Sequence, residues 1–268
     1  MRKTLVILAL IFPCLLPRAW GDPVSFSLVR PLFTPLISDP REPSIGMEAF
    51  TSERGYESSL GGSVDFLRWK ASPDMEWGLG IFAGLWVLSD QPDFSGLAAD
   101  DWFSGAYLSE KSGPFSLRFE FQDQKSDTGD SLYGQKNIGF TRDNFNLTLS
   151  LEALRDVRLY AGGGLRWPWD DFIKSQSQAF LFTGLEAYSP SFSFIGPCRA
   201  YGAYHFKFQD QAGGTYNHEV QLGLRWKGNS QDGSSLRLAL IYYNGHSEFG
   251  EFFQREDAHG GIGVFYDP

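Results

Sequence analysis

Few residues of this 268-residue chain carry chemistry, and His246, Ser247 and Glu248, which follow one another directly, come first. A serine activated by a histidine, with a third polar group orienting the imidazole, is the arrangement of acyl-transfer hydrolases, including lipid hydrolases built on barrel strands. On a strand, however, cooperating side chains sit two residues apart, and neighbours point to opposite faces. Asn244-Gly245 just upstream is a turn signal, so the three fall in a loop where that rule lapses. Polar loop residues beside a glycine turn are the simpler reading, and no residue is assigned a catalytic role.

Metal chemistry is no better supported. His205, His218, His246 and His259 are scattered without ligand spacing, although His205 and His218 could lie on neighbouring strands. Cys198 is the only cysteine beyond residue 21, which excludes an internal disulfide and a cysteine-based zinc site there. The acidic stretch 89–101 (Asp90, Asp93, Asp100, Asp101) could take calcium, but solvated loop charge is the commoner explanation. Gly162-Gly163-Gly164 has no helix after it and is no phosphate cradle; it marks a bend or the close approach of a plug. Asn146-Leu147-Thr148 matches a glycosylation acceptor but falls within a strand. No metal site and no cofactor are expected.

The elements that must hold these residues are strands. Residues 216–227, YNHEVQLGLRWK, put Tyr216, Val220, Leu222, Leu224 and Trp226 on one face and Asn217, Glu219, Gln221, Arg225 and Lys227 on the other. The same alternation recurs in 115–122, 145–152 and 235–240. A twelve-residue two-faced strand exceeds the usual globular length and suits an oblique bilayer crossing. Strand candidates are 44–51, 60–70, 76–89, 101–109, 115–123, 131–141, 144–152, 157–167, 178–188, 198–209, 216–227, 235–243 and 260–266, separated by turn residues. Barrels of this kind have even strand numbers, so one of these is surplus, with 44–51 and 101–109 the weakest, and twelve strands are expected.

Residues 1–21 read as a cleaved signal peptide, with Arg2 and Lys3, an apolar stretch over 5–16, and Ala19-Trp20-Gly21 as the cleavage site. That segment carries three cations and no acid, so removing it takes the net charge from −9 to −12. Such acidity argues against a nucleic-acid partner. Residues 22–43 form a proline-rich lead-in (Pro23, Pro31, Pro35, Pro40, Pro43) that cannot donate a full ladder of backbone hydrogen bonds. It is expected to fold against the polar barrel face or its rim, with Arg41 and Asp39 or Glu42 paired to lumenal charges.

Alternation alone does not fix the inside. A soluble barrel binding lipid or another ligand would turn its Phe and Leu inward. Three features favour the inverse. The strands are long and numerous. The polar face mixes opposite charges, with Arg118, Glu120, Arg158, Arg166, Glu219, Arg225 and Arg237 as candidates for facing the lumen. Strand ends carry Trp69, Trp77, Trp102, Trp167, Trp169, Tyr188, Tyr216, Trp226, Tyr242 and Tyr266, as interfacial girdles do. The expectation is an all-β fold: a single antiparallel up-and-down barrel of outer-membrane type over 44–268.

Leu36-Ile-Ser-Asp39-Pro40-Arg41-Glu42-Pro43 near the start and Tyr242-Tyr243-Asn-Gly245-His-Ser247-Glu-Phe-Gly250-Glu-Phe252-Phe253 near the end resemble an uncharacterised bacterial family, domain of unknown function 1207. Arg158-Leu-Tyr-Ala-Gly-Gly-Gly164 and Gly184-Leu-Glu186 add to the likeness, which departs at Glu251, where the pattern wants Gln. The resemblance implies a barrel-like envelope protein of Gram-negative bacteria and no activity. The expected function is a non-enzymatic outer-membrane barrel, either a restricted channel or a structural or assembly component, with lipid and small solutes as partners. A lipid hydrolase using His246 and Ser247 and a periplasmic ligand-binding barrel are the rivals.

Overall fold

The structure, a computed structural model, describes residues 25–51, 55–89, 96–128, 139–168, 179–210, 214–227, 234–252 and 254–268. The expected signal peptide, Trp169, Asp90, Asp93 and Phe253 lie outside them. The first strands are β1 (Ser25–Val29), β2 (Ile45–Phe50), β3 (Tyr56–Ser72), β4 (Met75–Ser89) and β5 (Leu97–Ser112). Next come β6 (Phe115–Thr128), β7 (Phe140–Leu154), β8 (Val157–Pro168) and β9 (Ala179–Tyr188). The chain ends with β10 (Phe192–Ser193), β11 (Pro197–Gln209), β12 (Thr215–Lys227), β13 (Ser235–His246) and β14 (Glu256–Asp267).

Each strand from β3 to β8 pairs antiparallel with its successor, as do β9 with β11 and β11 through to β14. β2 then joins β14 to β3 and closes a ring of twelve strands. β1 and β10 lie outside that ring, pairing with β3 and β11. Both strand candidates marked weakest are real, as β2 and β5. The surplus is 131–141: residues 140 and 141 open β7, which pairs directly with β6, and 131–138 lie outside the described residues.

Apolar residues face outward. Leu147 and Leu149 on β7, Leu222 on β12, Leu238 and Leu240 on β13, and Ile262 and Val264 on β14 are exposed. Between them on the same strands, Asn144, Thr148, Gln221, Arg237 and His259 are buried. Six of the seven lumen candidates (Arg118, Glu120, Arg158, Arg166, Glu219, Arg237) are buried, and Arg225 is half-buried with its guanidinium 3.7 Å from Asp267. This disfavours the ligand-binding barrel with its Phe and Leu face turned inward.

Two aromatic belts ring the outside. Trp102, Trp167 and Tyr216 sit toward the end with the longer loops; Trp69, Trp77, Trp226 and Tyr266 lie toward the end where β3–β4, β5–β6 and β7–β8 turn within two residues. Tyr242 is exposed as well. Tyr188 is a correction: it faces the lumen, where its hydroxyl accepts from Arg225 (3.2 Å). β9 alternates regularly, with Phe180, Phe182 and Glu186 inward and Leu181 and Leu185 outward, and Tyr188 falls on the inward parity, so terminal position alone misplaces it.

The lumen is not simply hydrated. Phe82, Trp86, Phe103, Tyr107, Tyr160, Phe180, Phe182, Tyr201, Tyr243 and Phe265 fill much of it. The wall carries glycine where a ring lies flat across it: a Cβ on Gly162 would strike Phe182, and one on Gly184 would strike Tyr160. Gly162 therefore makes room for a neighbouring wall residue and not for a plug, correcting the reading of the glycine triplet.

Candidate functional site

Two segments enter the lumen and meet. After β1 the chain leaves the wall, and residues 30–44 cross the interior as a strap before rejoining the wall as β2. Prolines suit this path, because a strap inside a barrel has no ladder to complete. The backbone groups it does present are met by wall side chains. Leu32 N donates to Asp65 Oδ2 (2.9 Å) and Ile37 N to Glu186 Oε1 (2.9 Å). Arg158 donates to the carbonyls of Thr34 (2.7 Å) and Pro35 (3.1 Å). Buried polar groups are costly without such partners.

The strap also buries apolar side chains. Phe33 and Leu36 pack with Tyr160, Phe180 and Phe182, and Ile37 packs with Tyr201, Ile241 and Phe265. Burial of each contributes about 1.5–3 kcal/mol gross. Arg118 and Arg158 flank the Phe33 ring at 4.6 and 4.9 Å.

Charge fixes the upper half of the strap. Glu42 receives both terminal nitrogens of Arg118 (2.6 and 2.8 Å), a bidentate pair, while Glu120 lies 3.3 Å from Arg118 Nε. Glu48 and Glu57 are direct cross-strand neighbours, a repulsive arrangement, and Arg41 stands against it at 3.2 Å from Glu57. Arg41 also lies 3.8 Å from Asp101 and stacks on Phe249 at 4.2 Å. Burial opposes its charge, but Glu57, Asp101 and Glu248 outweigh that and raise its pKa above the ordinary value.

The second segment is the loop after β13, with a 3-10 turn at Gly250–Phe252. Phe249 is fully buried among Trp86, Leu88, Ala98, Ala99 and Phe103, with Phe252 packed alongside. Glu248 accepts from Lys207 (2.6 Å) and Asn217 (2.5 Å), and its carbonyl accepts from Arg41 Nε (3.3 Å). Burial alone would push the Glu248 carboxyl up; Lys207, Arg166 and Arg41 bring it down to about 2. Gly250 N donates to Asp101 Oδ2 (3.1 Å). Asn217 pairs with the His246 peptide in both directions (2.9 and 3.1 Å), an approach that a side chain at Gly245 would block.

The Asp39–Pro43 motif and the 242–253 motif therefore meet, through Arg41 with Glu248 and Phe249. Tyr243 reaches the loop through its hydroxyl, which donates to the His246 carbonyl. Pro40 and Pro43 bend the strap on either side of Arg41, and Asp39 Oδ1 caps the Arg41 amide (3.0 Å). Tyr242 points outward, away from this site.

Ser247 is buried, and its hydroxyl accepts from Phe249 N (3.3 Å). Among the described residues no hydrogen bond joins the His246 ring to it. His205 lies in the lumen beside Tyr160 (3.0 Å), whereas His218 bonds Tyr204 on the outer face (2.7 Å), so the two do not form a pair. Among the described residues no group of three His, Cys, Asp or Glu could hold a metal ion. Asp101, read as loop charge, is fully buried and ties strap to loop. Asp65, Glu57 and Lys207 carry no signal in the sequence beyond being one polar residue in an alternating strand. Glu186 stood in a family-like string with no role attached.

The family described as "Protein of unknown function (DUF1207)" matches residues 27–267. No curated protein matches the chain. Among solved structures, a KdgM porin aligns with TM-score 0.49 and 11% identity over 84% of this chain and 99% of that one. Outer membrane phospholipase A from Escherichia coli aligns with TM-score 0.48 and 13% identity over 87% and 93%. The beta domain of the Bordetella autotransporter BrkA aligns with TM-score 0.41 and 13% identity over 83% and 97%.

Proposed function

The chain belongs to the DUF1207 family, and we propose that it is a non-enzymatic outer-membrane β-barrel whose lumen is occluded by its own N-terminal strap and by the loop after β13, acting as a restricted channel or a structural component. The observation that carries this is the inversion of faces. A continuous apolar exterior between two aromatic belts is too large a patch for a soluble monomer and suits lipid. The short-turn end would then face the periplasm, and the longer loops the outside.

Occlusion follows from contents. Phe33, Leu36, Ile37 and Phe249 occupy the interior together with the Arg41 and Glu42 ion pairs, leaving small polar cavities and no wide pore among the described residues. Lipid is the partner on the outside, and small ionic solutes are the species that could pass or lodge within. The acidic balance of the chain speaks against nucleic acid.

The hydrolase reading is disfavoured by Ser247, whose hydroxyl is tied to the loop backbone and buried. Expressed protein should fractionate with the outer membrane and migrate as a heat-modifiable band. Planar-bilayer conductance should be low and should rise when residues 23–43 are deleted. Recovery in the soluble periplasm would end the proposal. Loss of lipid turnover in His246→Ala or Ser247→Ala would replace it with the hydrolase.

A further inference from the structure

Three connections at the short-turn end take two residues each: Pro73-Asp74, Gly113-Pro114 and Arg155-Asp156. The connection from β9 to β11 departs from them. It runs over residues 189–196 and contains β10, which pairs with β11 through Phe192 with Cys198 and Ser193 with Pro197. β9 itself stops pairing at Tyr188 with Tyr201, so the sheet continues past the end of the wall as a short tongue.

The tongue is apolar and uncovered. Phe192, Phe194 and Ile195 are 43, 51 and 86% exposed. A turn standing in water is made from Gly, Pro, Asn, Asp and Ser, as the other three are. Ile195 also takes a φ of 50°, a left-handed conformation that strains a β-branched residue. Glycine would form this turn more easily, so neither the side chain nor the strain serves the turn itself.

The tongue is nevertheless firmly held. Ser189 N donates to the Ala200 carbonyl (2.9 Å), Ala200 N to Ser189 Oγ (3.0 Å) and Arg199 Nε to the Ser189 carbonyl (2.7 Å). Trp226 Nε1 donates to the Phe194 carbonyl (2.9 Å). That last bond fixes the side on which the tongue lies. Trp226 belongs to the outer aromatic belt, and its neighbours at the same level, Leu236 and then Tyr266, are exposed on the same face. Cys198 stands on the outward parity of β11 with Tyr204, yet is 1% exposed, because its cross-strand neighbours are Phe192 on one side and Trp226 on the other. The tongue therefore extends the lipid side of the wall.

We propose that the β9–β11 tongue is an interfacial anchor that inserts Phe192, Phe194 and Ile195 among the acyl chains of the leaflet at the short-turn end. The proposal rests on the lipid-facing reading of the exterior and adds a second kind of contact to it. The wall spans the bilayer, whereas the tongue lies at its surface and fixes the depth of the rim. Lipid is the occupant because the lipid-facing belt already reaches Trp226, and the tongue is bonded to that residue. An indole at this level has its apolar body among the chains and its N–H available to pin a neighbouring carbonyl.

The test uses the full chain refolded into phosphatidylcholine vesicles, each variant first verified by its heat-modifiable band. In a Cys14→Ser, Cys198→Ala background, an environment-sensitive fluorophore is attached at Ile195→Cys, at Leu240→Cys on the exposed wall, or at Asp74→Cys in a polar turn of the same end. Interfacial segments lie about 5–10 Å into the headgroup and acyl boundary, so a nitroxide near the lipid headgroup should quench the label at 195 about twofold more than one at the chain terminus. The order should reverse at 240, and the label at 74 should be quenched by neither. Should the cysteine background fail to fold, photolysis of a diazirine-bearing lipid with the unaltered chain gives the same reading, with adducts on 192–195 and none on 73–74. Quenching at 240 without quenching at 195 overturns the anchor and leaves the membrane location intact. Equal quenching at 74 and 195 overturns it too, since nearness to the surface would then explain both. A label at 195 that is shielded from water yet unquenched shows a second copy covering the tongue, and the anchor falls. Quenching at neither 195 nor 240 ends the anchor and the lipid-facing exterior together.

Discussion

Glu42→Gln is the sharpest probe of the strap. The substitution keeps size and a hydrogen-bonding terminus but removes the charge that Arg118 holds at 2.6 and 2.8 Å, both side chains being more than nine-tenths buried. Removing one partner of a buried ion pair costs about 3–5 kcal/mol, because the other charge is left uncompensated. Glu120, 3.3 Å from Arg118 Nε, still offsets part of that charge, so about 2–3 kcal/mol is the expected loss. The wall does not depend on Glu42, whereas the docked strap does. The loss should therefore appear as local opening, raising the undocked population about 30- to 150-fold. Limited proteolysis of the folded barrel reads this directly, since a docked strap is protected and a released one is cut between β1 and β2. Arg118→Gln on the Glu42→Gln background should cost less than the two changes separately, because the attraction between Arg118 and Glu42 is lost only once. Unchanged cleavage in Glu42→Gln, or strict additivity in the double variant, would refute the argument that this pair holds the strap.

Three further outcomes are expected. Leu240→Arg, on the exposed face opposite Leu222 and Ile262, should destabilise the barrel by about 2–4 kcal/mol in lipid vesicles, measured by urea unfolding. Glu248 has a folded pKa of about 2 against an ordinary 4.5, so its contribution is fully present above pH 4.5 and is lost as pH falls toward 2. Loop protection against an acid-active protease should fall through that window in the wild type, and the Glu248→Gln difference curve should isolate this carboxyl from the others. Gly184→Val should cost about 1–3 kcal/mol in unfolding free energy, because its side chain would occupy the place of the Tyr160 ring.

Period-two patterning made the strands legible, since a barrel wall needs one face for lipid and the other for the interior. Leu147, Leu149 and Leu238 against Thr148 and Arg237 show that separation without help from the structure. Patterning failed where both faces are apolar. In β4, Phe82 and Trp86 point inward and Ile81 outward, and hydrophobicity does not distinguish them. It also misplaced Tyr188, because an aromatic residue at a strand end suits a belt and a lumen equally well.

The strap was half legible. Its prolines excluded a central strand and its charges promised partners, but not which ones. Arg118 lies 76 residues from Glu42, and Asp101 lies 149 from Gly250; no local signal encodes such distances. The alternation of side chains is a local property of the backbone, and by itself it determined the strands and the two-faced wall; which face turned inward needed the strand lengths, the mixed charges and the terminal aromatics as well. Ring closure, which turns twelve strands to face a common axis, decided which polar residues meet. Only that closure brought Arg41 to Glu57 and Phe249 and made the two distant motifs parts of a single contact.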